Sequence, residues 1–282
     1  MADAPDLCLY HANCTDGFGA AYAVWKRFGD IEYVAAQYGD PPPAVVGKRV
    51  VIVDFSYKRP VLEAMARDAH SILILDHHRT AQEDLAGFPV PPAWDDWAAN
   101  CTGIGALFDM GRSGARITWD YFHAPLPPPQ VLQHIEDRDL WRFKLTGTRE
   151  IVEALRSHDA TFQDWDVLIG DSEALFHQGG AILRRQTKDI ESLLAGKRTM
   201  RIGGHVVPVA NVPGFLASDA GHALNDGVLF AATYFDAADK RVFSLRSRGD
   251  FDVSAIAKLY GGGGHKNAAG FQRDLGWEGG DQ

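Results

Sequence analysis

Four consecutive apolar residues, Ile72-Leu73-Ile74-Leu75, run straight into Asp76-His77-His78. An apolar run without alternation implies a strand covered on both faces, as inside a parallel sheet. Such a strand ends here in three groups that are costly to bury unless paired or metal-bound, which points to a site rather than a core. The pattern recurs: "RVVIVDF" runs into Asp54, and "LCLYH" ends at His11 with Asp16 five residues on. In open parallel sheets, ligands bind outside the carboxyl ends of the strands. Three strand ends carrying His or Asp therefore predict one shared crevice. A single Asp at a strand end is more often an N-cap for the next helix. Lone histidines such as His70, His123, His134 and His158 read as surface or hydrogen-bonded groups. The threefold recurrence carries the argument.

The remaining pattern predicts an α/β protein. "LCLY", "IEYVAAQY", "RVVIVDF" and "SILILDHH" read as strands. "GFGAAYAVWKRFG" and "RPVLEAMARDA" between them read as helices, the second with Pro in its first turn. This β-α-β-β-α-β order predicts a mostly parallel sheet with helices on both faces. "GARITWDYFH" and "PPPQVLQHIEDRDLW" read as further helices, and residues 171–197 as a long polar connecting helix. The texture then changes. "TMRIGGHVVPVAN" reads as a hairpin turning at Gly203-Gly204. "FLASDAGHALND" and "DVSAIAKLY" read as helices, "VLFAATYF" and "RVFSLRS" as paired strands, and "GGGGHKNAAGF" as a loop. The expected organisation is a first domain at 1–170, the connector, and a smaller α/β domain at 198–282.

Of 282 residues, 46% are hydrophobic and 23% charged, which permits a sizeable core. The formal net charge of −9 argues against a bulk clamp on duplex nucleic acid. It leaves room for a small anionic substrate in a pocket where metal ions supply the positive charge. Cys8, Cys14 and Cys101 form no CxxC pair and no even disulfide set, so a reducing compartment is expected. The first residues lack the basic segment and long apolar run of a signal peptide. No stretch approaches a membrane span. A soluble, cytoplasmic protein with no membrane partner is the expectation.

Carboxylates and imidazoles together suit Mn²⁺, Mg²⁺, Fe or Zn²⁺, and a pair of such ions about 3.5–4 Å apart is suited to phosphoester hydrolysis. Asp137 and Asp139 in "HIEDRDLWRF" are candidates for a further carboxylate. Sequence spacing alone does not choose between them. Gly261 to Gly264 lead into His265, Lys266 and Asn267, a composition suited to cradling phosphate. It is not a Walker motif, since no Gly-Lys-Ser/Thr is present. Arg246 and Arg248 lie near in sequence, and Arg246, closer to the strand, is the better candidate for a phosphate fork.

Together, "HANCTDGFGAA", "VDFS", "LDHH" and "GGGGHKNAAGF" resemble the DHH phosphoesterase family, in particular its oligoribonuclease-like, nanoRNA-degrading branch. The resemblance covers most of the chain. It implies an N-terminal DHH domain binding two divalent ions, usually Mn²⁺, with Mg²⁺ or another divalent ion as alternatives. It also implies a C-terminal DHH-associated domain gripping substrate, with a cleft between the two. Carried over by residue, His11, Asp16, Asp54, His77 and Asp137 would be metal ligands, with Asp54 and Asp137 bridging or nearly so. Asp139 is the reserve for Asp137. His78 would contact the phosphate and Asp76 would orient His77. Gly262, Gly263, Gly264 and His265 would hold the substrate phosphate, with Lys266, Asn267 and Arg246 beside them. One departure stands out: where the family has an Asp two residues before the position of Asp16, this chain has Cys14. The thiol is a candidate ligand, a small buried filler, or the mark of a depleted metal site.

The expected function is a metal-dependent phosphodiesterase releasing nucleoside 5′-monophosphates from short single-stranded RNA or DNA oligonucleotides or dinucleotides. Asp54, Asp76 and His78 would carry the chemistry. Candidate substrates are nanoRNA, linear dinucleotides and 3′-phosphoadenosine 5′-phosphate. The alternatives are a pyrophosphate or polyphosphate phosphohydrolase, and a module that binds a nucleotide without cleaving it. The family often forms dimers, so a homodimer is a further expectation.

Overall fold

The computed structural model describes residues 3–280. The chain divides into two compact units, residues 1–183 and 184–282. The first begins with β1 (Leu7–His11), α1 (Thr15–Phe28), β2 (Glu32–Ala36), β3 (Arg49–Val53), α2 (Arg59–Asp68) and β4 (Ser71–Asp76). This is the β-α-β-β-α-β order expected from the sequence. Next come α3 (Arg79–Asp84), α4 (Trp94–Asn100) and β5 (Gly103–Phe108). The sequence reading does not contain β5, whose glycines Gly103 and Gly105 interrupt its apolar run. Helices α5 (Gly114–His123), α6 (Gln130–Asp139), α7 (Thr148–Arg156), α8 (Phe162–Ile169) and α9 (Ser172–Leu194) follow, and the division between units falls within α9.

The five strands form one parallel sheet in the order β2-β1-β3-β4-β5. Both faces are covered, as the unbroken apolar runs require. Val51, Val53, Leu73 and Leu75 pack with side chains of α1, α5 and α6, including Ala20, Ile117 and Leu132. Leu9, Ile52, Ile72 and Ile74 pack on the opposite face with Leu62 and Met65 of α2. Each such side chain contributes roughly 1.5–3 kcal/mol on burial, so the central strands are held firmly in register. The strand order sets β1, β3 and β4 side by side, with their carboxyl ends adjacent.

The second unit contains β6 (Arg198–Ile202), β7 (His205–Asn211), α10 (Ala217–Leu224), β8 (Phe230–Asp236), β9 (Lys240–Ser247), α11 (Val253–Leu259), β10 (Gly263–His265) and β11 (Ala268–Asp274). Its mixed sheet runs β10-β11-β9-β8-β7-β6, with β7 and β8 parallel and the other neighbours antiparallel. Alternation along β8 sends Phe230 and Ala232 toward Val253 and Ala257 of α11, and Ala231 toward Ala220 and Leu224 of α10.

The glycine run is not the loop expected from its composition. Gly263, Gly264 and His265 pair with Gly270, Ala269 and Ala268, and Lys266-Asn267 make the turn of a hairpin. A Cβ on Gly262 would lie 2.0 Å from the carbonyl oxygen of Gly270, and one on Gly264 (φ +136°) 2.6 Å from that of Ala268. Close approach to β11 therefore demands glycine at both positions. Among the described residues, no helix is long and apolar enough to cross a membrane.

Candidate metal centre

Parallel pairing of β1 with β3 and of β3 with β4 brings three polar strand ends together. His11 ends β1, Asp54 follows β3, and Asp76 ends β4 with His77 and His78 beyond it. Two sets of three donors form there: His11, Asp54 and His78, and Asp16, His77 and Asp139. Within each set the donor atoms lie within 4.8 Å of one another. His77 Nε2 joins the sets, 3.0 Å from Asp54 Oδ1, 3.6 Å from Asp16 Oδ2 and 3.7 Å from Asp139 Oδ2.

Asp54 stands where the two sets meet. Its backbone is left-handed (φ 53°), a conformation that Asp tolerates better than most residues. The start of α5 presses on it: a Cβ on Gly114 would sit 2.4 Å from Asp54 Cβ. Asp54 is 1% exposed, yet neither carboxylate oxygen has an aligned hydrogen-bond donor among the described residues. Nδ1 of His11, 3.5 Å from Asp54 Oδ2, is likewise buried without a hydrogen bond. Among the described residues, the polar groups facing this carboxylate are two imidazoles, His77 at 3.0 Å and His11 at 3.5 Å, which leaves its charge available to a cation. Imidazole nitrogens and carboxylate oxygens gathered in this way suit divalent cations that take N and O ligands. The residues fit a metal, and the two sets fit two ions.

Asp16 reaches the cluster from the first turn of α1. Its carboxylate accepts hydrogen bonds from the amides of Gly114 (2.6 Å) and Ala115 (3.0 Å), which open α5. It thereby ties two helices across 98 positions of sequence and compensates the positive end of α5. The reading of the sequence missed this contact. Ser113, which caps α5 by accepting from the amide of Arg116, signals where the helix starts but not what it faces.

The electrostatics follow from crowding. Burial, then the charges of Asp54 and Asp139, push the Asp16 carboxyl well above the usual range. Burial also acts to raise Asp54, but contact with His11 and His77 outweighs it and holds Asp54 well below its ordinary value. Burial opposes charge on His77; Asp139, Asp54 and Asp16 overcome that and raise it well above a normal histidine. Cys14, at the N-cap of α1, belongs to neither set of three. Burial and the charges of Asp54, Asp139 and Asp16 push its thiol well up.

Asp76 does not do what the resemblance implied. It was expected to orient His77, but its Oδ1 lies 2.7 Å from Nδ1 of His78 and accepts from the backbone amides of His77 (2.7 Å) and His78 (3.3 Å). It fixes the ring of His78 and only the main chain of His77. The reason is steric: after a strand ends, the second residue on can fold back to the Asp side chain, while the first points onward into the cluster.

The fourth carboxylate is corrected as well. Asp137, the expected ligand, faces away from the centre. Its carboxylate accepts from the amides of Lys144 (2.9 Å) and Leu145 (3.1 Å) and the hydroxyl of Thr148 (2.6 Å). Its carbonyl accepts from Arg142 and Phe143. These bonds cinch a loop in which Trp141 (φ 54°) and Phe143 (φ 48°) are both left-handed, a conformation costing about 1–3 kcal/mol for each such side chain. Guanidiniums from Arg138 and Arg149 cover the rings, 4.5 Å over Trp141 and 3.7 Å over Phe143. Asp139, with a side chain 27% exposed, is the carboxylate that meets His77. Two mutations separate the roles. Asp137→Ala is expected to destabilise the metal-free chain by about 2–4 kcal/mol, because it strands the buried Thr148 hydroxyl and releases the amides of Lys144 and Leu145 that close the loop. Asp139→Asn is expected to leave the melting temperature unchanged while weakening Mn²⁺ binding at least about 10-fold. Thermal melts and Mn²⁺ titrations measure both, and the opposite pattern would restore Asp137 as the ligand.

In the second unit, the proposed phosphate-binding residues lie around the β10–β11 hairpin, and several make contacts within the unit. Lys266 Nζ bonds Asp250 (2.9 Å), and Asn267 Nδ2 bonds Ser247 Oγ (2.9 Å) and the carbonyl of Gly249 (3.2 Å). Arg246 donates to Ser218 Oγ (2.7 Å) and to the carbonyl of Leu245 (2.8 Å). Gly262, Gly263, Gly264 and His265 shape the hairpin edge.

No family model matches the chain. Over 302 aligned positions the sequence is 30% identical to uncharacterized protein R106 of Acanthamoeba polyphaga mimivirus, covering 95% of this chain and 67% of that protein. Three solved structures show more distant likenesses. An uncharacterized protein from Helicobacter pylori G27 aligns with a TM-score of 0.37 and 15% identity, over 96% of this chain and 94% of its own. PggH, a pGpG-specific phosphodiesterase from Vibrio cholerae, gives 0.45 and 13%, over 95% and 93%. An exopolyphosphatase-related protein from Bacteroides fragilis gives 0.47 and 12%, over 96% and 87%.

Proposed function

The chain belongs to one family with the uncharacterized mimivirus protein, and we propose from its own donor cluster that it is a divalent-metal-dependent phosphodiesterase cleaving short oligonucleotides or dinucleotides to nucleoside 5′-monophosphates. The observation that carries the reading is Asp54: a buried carboxylate without aligned donors, grouped with His11 and His78 in one donor set and 3.0 Å from His77 of the other. His11, Asp16, Asp54, His77 and Asp139 would hold the ions, with His78 left to face the phosphoryl group. Divalent ions there, Mn²⁺ by the DHH resemblance, would supply positive charge to phosphoryl oxygens and activate a water at neutral pH.

The chain's own residues arrange the rest. Asp76 holds His78 through Nδ1, so that Nε2 lies on the far side of the ring from Asp76. Burial disfavours charge on His78, but Asp76 outweighs it and raises its pKa, making the ring a cationic donor for a phosphoryl oxygen. Asp16, braced by α5, keeps the first turn of α1 close to His77. A formal charge of −9 favours short substrates over long strands, which need an extended basic track.

The test is to incubate the pure protein with Mn²⁺ and RNAs of two to seven nucleotides, linear and cyclic dinucleotides, 3′-phosphoadenosine 5′-phosphate and pyrophosphate, then resolve the products. Nucleoside 5′-monophosphates that appear with Mn²⁺ and vanish with EDTA are the expected result. Orthophosphate from pyrophosphate alone would make the protein a phosphohydrolase of another kind. Nucleotide binding without turnover would make it a holding module.

A further inference from the structure

Tyr38 lies just past the carboxyl end of β2, the strand next to β1. It sits in a tight turn. The amide of Asp40 donates to the carbonyl of Gln37 (3.1 Å), and the Asp40 carboxylate accepts from the amide of Gln37 (3.0 Å). Gly39, the third residue of that turn, has φ +100°, which glycine adopts without strain. Three prolines, Pro41 to Pro43, follow and limit how far the segment can move. The ring stands beside the metal centre. It meets His11 edge-on at 5.5 Å, His78 edge-on at 6.2 Å, and Phe55 at 5.0 Å. Despite these three neighbours Tyr38 is 51% exposed. A large aromatic ring, half exposed, is thus carried on a backbone turn next to a cluster of metal-type donors.

We propose that Tyr38 forms a base-stacking subsite, whose open face takes the purine or pyrimidine of a nucleotide with its phosphate at His11 and His78. The inference rests on the phosphodiesterase reading of the neighbouring centre. The ring's chemistry selects the ligand. The negative face of a π system repels phosphate oxygens and accepts a flat base. Stacking of this kind tolerates any base identity, because every base offers a π face. A pyrophosphate substrate would have no use for it.

Steady-state kinetics with Mn²⁺ on a dinucleotide and on its abasic counterpart provide the test, using the whole chain and the variants Tyr38→Ala and Tyr38→Phe. Tyr38→Ala should lower kcat/KM on the dinucleotide by about 5- to 100-fold, mainly through KM, and leave the abasic substrate unchanged. Tyr38→Phe should match the wild type. Equal losses on both substrates, no loss at all, or a Phe variant as poor as the Ala variant would each overturn the subsite. Calorimetric titration with adenosine 5′-monophosphate and with ribose 5-phosphate keeps the two readings apart. A preference for the former that disappears in Tyr38→Ala supports the subsite even if no phosphodiester is hydrolysed, in which case the proposed activity alone fails. The same affinity for both compounds in the wild type would remove the subsite.

Discussion

Asp54→Asn is expected to abolish Mn²⁺-dependent turnover, lowering kcat by on the order of 10³-fold or more, while the chain stays folded. Asparagine keeps the shape of the side chain and tolerates the left-handed backbone at this position. What it removes is the charge of the carboxylate that groups with His11 and His78 and lies 3.0 Å from His77. Metal binding provides a readout independent of activity. A ligand that binds only the folded state stabilises it by about 2.7 kcal/mol at a concentration 100 times its Kd. Mn²⁺ added to the EDTA-stripped wild type should therefore raise its melting temperature, and should do little for the variant. An Asp54→Asn protein that retains both the turnover and the metal-induced shift would remove Asp54 from the centre.

Asp76→Asn should be the second-largest loss, and of a different kind. Asparagine preserves an oxygen for the backbone amides of His77 and His78 but loses the charge that holds the His78 ring through Nδ1. Comparable loss of a histidine-orienting carboxylate elsewhere costs about 10⁴-fold in kcat through the wrong tautomer. A fall of about 10²- to 10⁴-fold is expected here, with Mn²⁺ affinity within about 10-fold of wild type because no ligand is lost. The pH profile carries the sign. Asp76 raises the pKa of His78, so a cationic His78 persists to higher pH in the wild type. Activity that needs this cation is lost as pH rises through its pKa. Without the Asp76 charge the pKa falls, and the alkaline limb should move to lower pH. An unshifted limb would mean that His78 does not act as a cation. A collapse in Mn²⁺ binding would mean that Asp76 serves the metal directly.

Much of this centre is written locally. His11, Asp54 and Asp76 to His78 are legible because each closes an apolar run, and a run covered on both faces belongs in the middle of a parallel sheet, where strand ends converge. The alternation of strands and helices in the second unit is legible for the same reason of period. The glycine run misleads because four glycines read as flexibility, whereas Gly262 and Gly264 are there to let β10 lie against β11. Strand β5 escapes notice because two of its six residues are glycine.

Asp137 and Asp139 mark the limit of such reading. They lie two residues apart at the end of one helix, so their side chains point about 160° apart around its axis. Nothing local says which direction faces the metal donors. Packing of α6 decides it, turning Asp137 into the loop that Thr148 closes and leaving Asp139 opposite His77. Nor does the sequence reveal that Asp16 is held by Gly114 and Ala115, or that Tyr38 stands beside His11 and His78. The sequence alone determined the types of ligand, their strand-end positions and the parallel sheet that gathers them, because side-chain period and burial are properties of short segments. Only the tertiary structure decided which carboxylate turns inward, which histidine Asp76 orients and which distant amides and rings complete the centre. Those choices depend on how whole helices and loops pack, and chain spacing does not encode that.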